Sequence, residues 1–249
     1  MENRTDKNSY TILFAIGMVV IVGSLLAFAA ASLKPNIDEN KRIEKQQNIL
    51  YAMGVNANEE GSMAFVSTDV VGGEFAKYVT KQLVIQDGNV TEDDQAYLID
   101  VKKEQASAKA GNSRRLPLFV GEKDGKTFYV APIRGKGLWD AVWGYIAMDE
   151  NMVVQGAFFD HKGETAGLGA NINKRFFMDD FAGEHLFNEA GSFKGINISK
   201  SNADPLNKDK TDNEIDAIAG ATITGDGVSA MLRTELRLYV PYFKTLKNN

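Results

Sequence analysis

Cysteine is absent from all 249 residues, which excludes disulfides, thiolate metal ligands, iron–sulfur ligation and a cysteine nucleophile. Only two histidines occur, His161 and His185, so a histidine-rich metal site is not expected either. Basic charge is also in short supply: 28 Lys and Arg stand against 33 Asp and Glu, a net charge of −5, and no basic cluster is interleaved with aromatics. Such a chain has no field for phosphate backbones, and no nucleic-acid partner is expected. A Walker A loop is missing, because Gly135-Lys136 is followed by Gly137 rather than by Ser or Thr. The chain also lacks a dinucleotide fingerprint of its own.

What is present begins with an uncharged run, Tyr10 to Leu33, "YTILFAIGMVVIVGSLLAFAAASL". As a helix it would extend roughly 36 Å at about 1.5 Å per residue, enough for a bilayer core of about 30 Å. It reads as one membrane span. The small residues of "AFAAAS" would also suit a cleaved signal peptide, but the run exceeds the usual apolar region of such a leader. Charge does not orient the span: Arg4 and Lys7 precede it, while Lys34, Lys41, Arg42 and Lys45 follow it.

The expected organisation is an N-terminal segment with its span over 1–34, an amphipathic stalk helix over 35–54 and a soluble domain over 55–249. The stalk is inferred from Ile37, Ile43, Leu50 and Met53 set among polar residues and ending near Gly54. From Glu59 to about Arg115 the chain is mixed, and its charged stretch reads as solvated helix and loop. Beyond it, apolar runs flank Asp124-Gly125 and again Asp149-Glu150-Asn151, the plan of two hairpins in an antiparallel sheet. A helical pattern follows in "NKRFFMDDFAGEHLF" and a short strand in "GINIS". A last helix starts between Thr224 and Asp226, with Val228, Met231, Leu232 and Leu236 on one face. The fold class is therefore α+β, a mainly antiparallel sheet with flanking helices.

Three glycine-rich stretches could carry chemistry: "RGKGLWDAVWGYIAMD" (134–149), "HKGETAGLGANI" (161–172) and "DAIAGATITGDGV" (216–228). In the last, Thr222 falls just ahead of the expected helix, where unpaired N–H groups and the helix dipole favour an anion such as phosphate. Taken alone, the same stretch reads rather as a loop shaped by glycines with Thr224 as N-cap.

Together the three stretches resemble the covalent-FMN-binding domain family, which bacterial Na+-translocating NADH:quinone oxidoreductases carry in their NqrC component and Rnf-type electron-transport complexes carry in a related subunit. The resemblance covers nearly the whole chain: one N-terminal span, a variable region, then "GLW", "GETxGLG" and "DxxxGAT" in family order. Ala219 stands where the family usually has Ser or Thr, and Ala166 where it has Pro.

The resemblance implies that a dedicated flavin transferase moves FMN from FAD onto Thr222 as a phosphoester, with Thr224 the competing acceptor disfavoured by its spacing from Asp216. It further implies that Leu138 and Trp139 flank the flavin ring, and that Thr165, Gly167, Leu168 and Gly169 lie at the ring or ribityl chain. Glu164 is then a polar or loop-fixing partner, and Gly220 and Ala221 give access to Thr222. Core packing explains Trp143 as well as cofactor contact does, and a surface carboxylate is the plainer reading of Glu164. The implied protein is a single-pass bacterial inner-membrane subunit with a periplasmic domain, relaying electrons through FMN beside flavin and iron–sulfur subunits and membrane lipid. NADH oxidation would occur on another subunit. The Rnf-type subunit and a membrane-tethered binding domain without cofactor remain the alternatives.

Overall fold

The computed structural model describes residues 8–59, 62–200 and 204–247. Arg4 and Lys7, used in the charge count above, lie outside them. A single helix, α1 (Asn8–Ala52), contains the whole apolar run, and its side chains there stand exposed. It is long and apolar enough to cross a membrane. The chain divides into two compact units between Arg42 and Ile43. The segment expected as a stalk therefore changes character along its length: Ile37 is exposed, whereas Ile49, Leu50, Ala52 and Met53 are core residues of the second unit. Gly54 ends the helix at φ 72°, a left-handed conformation that costs glycine little.

In the second unit α2 (Val71–Tyr78) leads into β1 (Val79–Gln86) and β2 (Asn89–Glu92), and α3 (Val101–Lys109) precedes β3 (Leu116–Lys123), β4 (Lys126–Lys136), β5 (Ala141–Met148) and β6 (Val154–His161). Among the described residues these six strands form one antiparallel sheet in the order β2-β1-β3-β4-β5-β6. The hairpin read at Asp124-Gly125 is there, with both residues at positive φ as a type I′ turn requires. The turn of the next hairpin is held by Asp149, whose Oδ1 accepts from the amides of Asn151 and Val153 at 2.8 and 2.9 Å.

Three expectations need correction. The stretch read as mixed contains a further hairpin, β1–β2, turning at Asp87-Gly88 with φ 50° and 81°. The helical pattern of "NKRFFMDDFAGEHLF" shortens to α4 (Arg175–Met178) and a 3-10 turn (Asp179–Phe181). Phe177 of α4 and Phe181 of the 3-10 turn pack on Phe159 of β6 at centroid distances of 5.8 and 4.9 Å. The "GINIS" strand, β7 (Asn197–Ser199), forms a separate parallel pair with β8 (Glu214–Asp216).

The third correction concerns the last helix. α5 runs Thr222–Leu236, two residues earlier than its expected start, with Ala221 as the flanking residue. The first intrahelical bond, Gly225 N–H to Ala221 O at 2.9 Å, sets that start. Downstream, Val228, Met231, Leu232 and Leu236 are all buried, and burial of each is worth about 1.5–3 kcal/mol. α5 is thus fixed along its length before any ligand is considered. The chain closes with α6 (Val240–Leu246).

Candidate functional site

Strand register decides where the site forms. Lys136 pairs with Ala141 and Val142 with His161, so the β4–β5 turn and the end of β6 emerge at the same end of the sheet. The loop from β8 into α5 arrives there too. All three glycine-rich stretches consequently meet.

Glu164 is the residue on which they meet. It is only 7 % exposed. Its Oε1 accepts from the amides of Trp139 at 2.9 Å and Asp140 at 3.4 Å, and its Oε2 from the Leu138 amide at 3.3 Å and the Thr224 hydroxyl at 2.5 Å. Four donors thereby occupy the roughly four acceptor positions of one ionised carboxylate. Its own amide donates to His161 Nδ1 at 3.2 Å. The surface-carboxylate reading is set aside: Glu164 ties the "GLW" loop to the first turn of α5.

Electrostatics agree with this arrangement. Burial pushes the Glu164 carboxyl up, but the Thr224 hydroxyl and the three loop amides together outweigh it and hold the group below the usual carboxylate range. Glu164 is an anion at neutral pH and purely an acceptor. Close approach is required as well: a Cβ on Gly169 would fall 2.4 Å from Thr224 Oγ1 and 2.8 Å from Glu164 Oε2. Only glycine fits between them.

The two threonines of the α5 stretch are sorted by the same contacts. Thr224 is 1 % exposed and committed to Glu164. It is neither the N-cap nor a free hydroxyl. Thr222, the first residue of α5, is exposed. No acidic side chain lies in the first turn of this 15-residue helix, so its amide end is open to an anion.

Around Thr222 stand apolar side chains that packing leaves uncovered. Trp139 is 67 % exposed, anchored by its amide and by indole Nε1–H donating to Thr165 Oγ1 at 3.1 Å. Leu138, Leu168 and Ile223 are exposed as well. Leu168 lies against Gly220, where the chain turns at φ 72° and a Cβ would come within 2.8 Å of Leu168 Cδ2. Gly167 is exposed at the loop tip, its carbonyl accepting from Asn171 Nδ2 at 3.1 Å. Trp143 is half-buried on β5. The residues singled out from the sequence are therefore drawn together by direct contacts, through Trp139–Thr165, Glu164–Leu138, Gly169–Thr224 and Leu168–Gly220, with Ala221 and Thr222 next in the chain.

Two contributions escaped the sequence reading. Thr224 is a buried link rather than a cap, and Ile223 adds to the uncovered apolar rim. The alternation of buried Thr224 with exposed Thr222 and Ile223 is a helical feature, visible only once the start of α5 is known.

The FMN-binding domain family model matches residues 137–237, an interval that opens at the "GLW" loop and closes at the end of α5. Over the whole chain, similarity extends to the C subunits of Na+-translocating NADH-quinone reductases. That of Haemophilus ducreyi is 30 % identical, covering 90 % of this chain and 87 % of its own. That of Pseudomonas aeruginosa is 28 % identical, covering 91 % and 90 %. Among solved structures, the C subunit from Parabacteroides distasonis superimposes with a TM-score of 0.71 at 32 % identity, over 85 % of this chain and 96 % of that one. Shewanella oneidensis NqrC does so with 0.68 at 26 % identity, over 84 % and 99 %.

Proposed function

This chain belongs to the NqrC family of Na+-translocating NADH-quinone reductases and is a membrane flavoprotein subunit of that oxidoreductase; from that premise we propose that it holds FMN as a phosphoester on Thr222 Oγ1. The observation that carries the proposal is the contrast between the two threonines: Thr222 exposed at an open helix N-terminus, Thr224 buried and bound to Glu164. A flavin transferase would break the phosphoanhydride of FAD, release AMP and form the new phosphorus–oxygen bond as the threonine hydroxyl loses its proton. Of the two hydroxyls, Thr222's is the one it can reach.

The residues fit the group they are asked to hold. The amides of the first turn of α5 would face the phosphate, and the uncovered faces of Leu138, Trp139, Leu168 and Ile223 suit a large planar ring. FMN supplies the electron-carrying chemistry. The chain's part is to fix the phosphate at α5, to line the ring with apolar surface and to keep the "GLW" loop in place through Glu164. Because attachment through phosphate leaves the ring unaltered, its potential is set by non-covalent neighbours.

Other subunits of the complex are partners of this chain. NADH oxidation is assigned to one of them, since this chain has no dinucleotide fingerprint. α1 anchors the chain in membrane lipid, and family membership sets aside the Rnf-type and cofactor-free alternatives. In this reading the domain lies on the periplasmic side of the bacterial inner membrane.

Mass mapping of protein co-produced with the flavin transferase tests the attachment: an FMN adduct is expected on the tryptic fragment holding both threonines, and fragmentation should assign it to Thr222. An adduct on Thr224, or on neither, refutes the proposal. Topology is checked separately by C-terminal fusions. An alkaline phosphatase fusion should be active, and a cytoplasmic fluorescent reporter that stays bright would reverse the assigned side. For Trp139, exchange to alanine should leave FMN attached while shifting its midpoint potential, because the ring loses apolar contact but keeps its phosphoester. An unchanged redox titration would remove Trp139 from the ring site.

A further inference from the structure

Residues 204–213 lie against residues 180–187 without adding an apolar side chain to the core: Leu206, their one large hydrophobic residue, is 73 % exposed. Polar contacts make the seam. Asn207 Nδ2 donates to the Asp180 carbonyl at 2.8 Å and to Glu184 Oε1 at 3.0 Å. Lys210 Nζ donates to the same carbonyl at 2.8 Å and stands 3.4 Å from Glu184 Oε1. His185 N–H donates to the Lys210 carbonyl at 3.0 Å, and Asn213 Nδ2 to the His185 carbonyl at 2.6 Å. Within the segment, Asp204 Oδ2 accepts from the amides of Lys208 and Asp209. A segment held in this way opens more easily than the sheet does.

Glu184 is wholly buried at this seam and is not among the flavin-site residues. Its Oε2 has no donor among the described residues, so only one oxygen of the carboxylate is served. A buried acceptor in that position costs more when ionised than when neutral. Burial accordingly pushes the carboxyl up to about 7 from an ordinary 4.5; Asn207 and Lys210 oppose the rise and Asp212 adds to it. The neighbouring acids point the same way. Asp180 lies above its ordinary value through burial, Asp216 and Asp179, although Lys210 draws it down, and Asp216 is raised by burial and by Asp204. Carboxyl groups therefore stand on both sides of the seam with Lys210 between them, while β6 meets Glu184 through the uncharged Val154. Loss of protons gathers like charge across a contact with no apolar burial to offset it.

We propose that residues 204–213 form a proton-controlled latch, closed on residues 180–187 while Glu184 carries a proton and released when Glu184 is ionised. The sign follows from linkage. A carboxyl raised in the closed state favours closure fully below its ordinary value of 4.5, and that contribution is lost as pH rises through the closed-state value of about 7. Release would reach beyond the segment itself, because 204–213 runs directly into β8 and Asp216, the start of the stretch that enters α5.

The test is hydrogen exchange of the full flavin-loaded chain in neutral detergent at about pH 5 and about pH 8, with intrinsic amide rates divided out. Peptides covering 204–213 should lose at least about tenfold in protection between the two, beneath a ceiling of about 300-fold set by the gap between 4.5 and 7. Peptides from β4 and β5 should not change. Glu184→Gln, which cannot ionise, should abolish that loss and leave 204–213 better protected than in the parent chain at the higher pH. His185 is present in both proteins, so its own titration cancels in the comparison. An equal loss in the two proteins, or none in the parent, overturns the proposal. Should Glu184→Gln fail to fold, Lys210→Gln decides: without that cation, opening should increase more at the higher pH than at the lower, and an equal increase at both overturns the latch.

Discussion

Replacing Thr222 with alanine is expected to abolish covalent FMN and electron transfer through this subunit, while thermal unfolding stays close to that of the parent chain. The asymmetry follows from the position. An exposed residue at the start of α5 makes few contacts, so its loss costs within about 0.5 kcal/mol, yet it provides the proposed acceptor oxygen. Thr224→Val makes the opposite prediction. It keeps the shape and the flavin but withdraws the hydroxyl from Glu164, leaving that acceptor short of a donor at a cost of about 1–3 kcal/mol. Denaturing gels viewed for flavin fluorescence, beside melting curves, read both variants in one experiment. Fluorescence retained in Thr222→Ala would defeat the assignment.

The second large effect is expected at Glu164. A glutamine there has one acceptor oxygen where the carboxylate has two, and it turns an N–H group toward donors already crowded around it. Loss of about 1–3 kcal/mol is expected, together with release of residues 138–140 and impaired electron transfer despite an intact Thr222. The pH dependence distinguishes this from general damage. Because the carboxyl lies below its ordinary value of 4.5 in the folded protein, its contribution is complete above that value and is lost as pH falls through the folded one. The stability gap between the parent chain and Glu164→Gln should therefore be constant near neutrality and narrow below about pH 4.5. A gap that persists unchanged into acid would mean that the charge of Glu164 is not what holds the loops.

How far the sequence could be read depended on whether the cause of each feature was local. Asp124-Gly125 announces its own hairpin, since positive φ at both residues is a property of that dipeptide between apolar runs. Asp87-Gly88 makes the same turn but was obscured by its flanks: Leu83, Val84 and Ile85 are buried consecutively, without alternation, and β2 is exposed throughout. The start of α5 was missed for another reason. Thr222, Ile223, Thr224 and Gly225 are poor helix formers, and they are helical here because Thr224 is held by a residue sixty positions earlier. Glu164 illustrates the limit most clearly. Its motif marked it as a site residue, but whether it faced solvent or tied three segments together depended on strand register, which no single stretch encodes.

The mounting of Thr222 on α5 bears on electron exchange between subunits. Beyond its first turn α5 is embedded through Val228, Met231, Leu232 and Leu236, so the proposed attachment point moves with the body of the domain. A flavin tethered there sweeps only the small volume allowed by its own linker. Its effective concentration at a neighbouring carrier is then set by how the domain is positioned, not by how much cofactor is dissolved around it. Reorienting the domain by a few ångströms would switch that contact on or off without any change in the flavin or its binding residues.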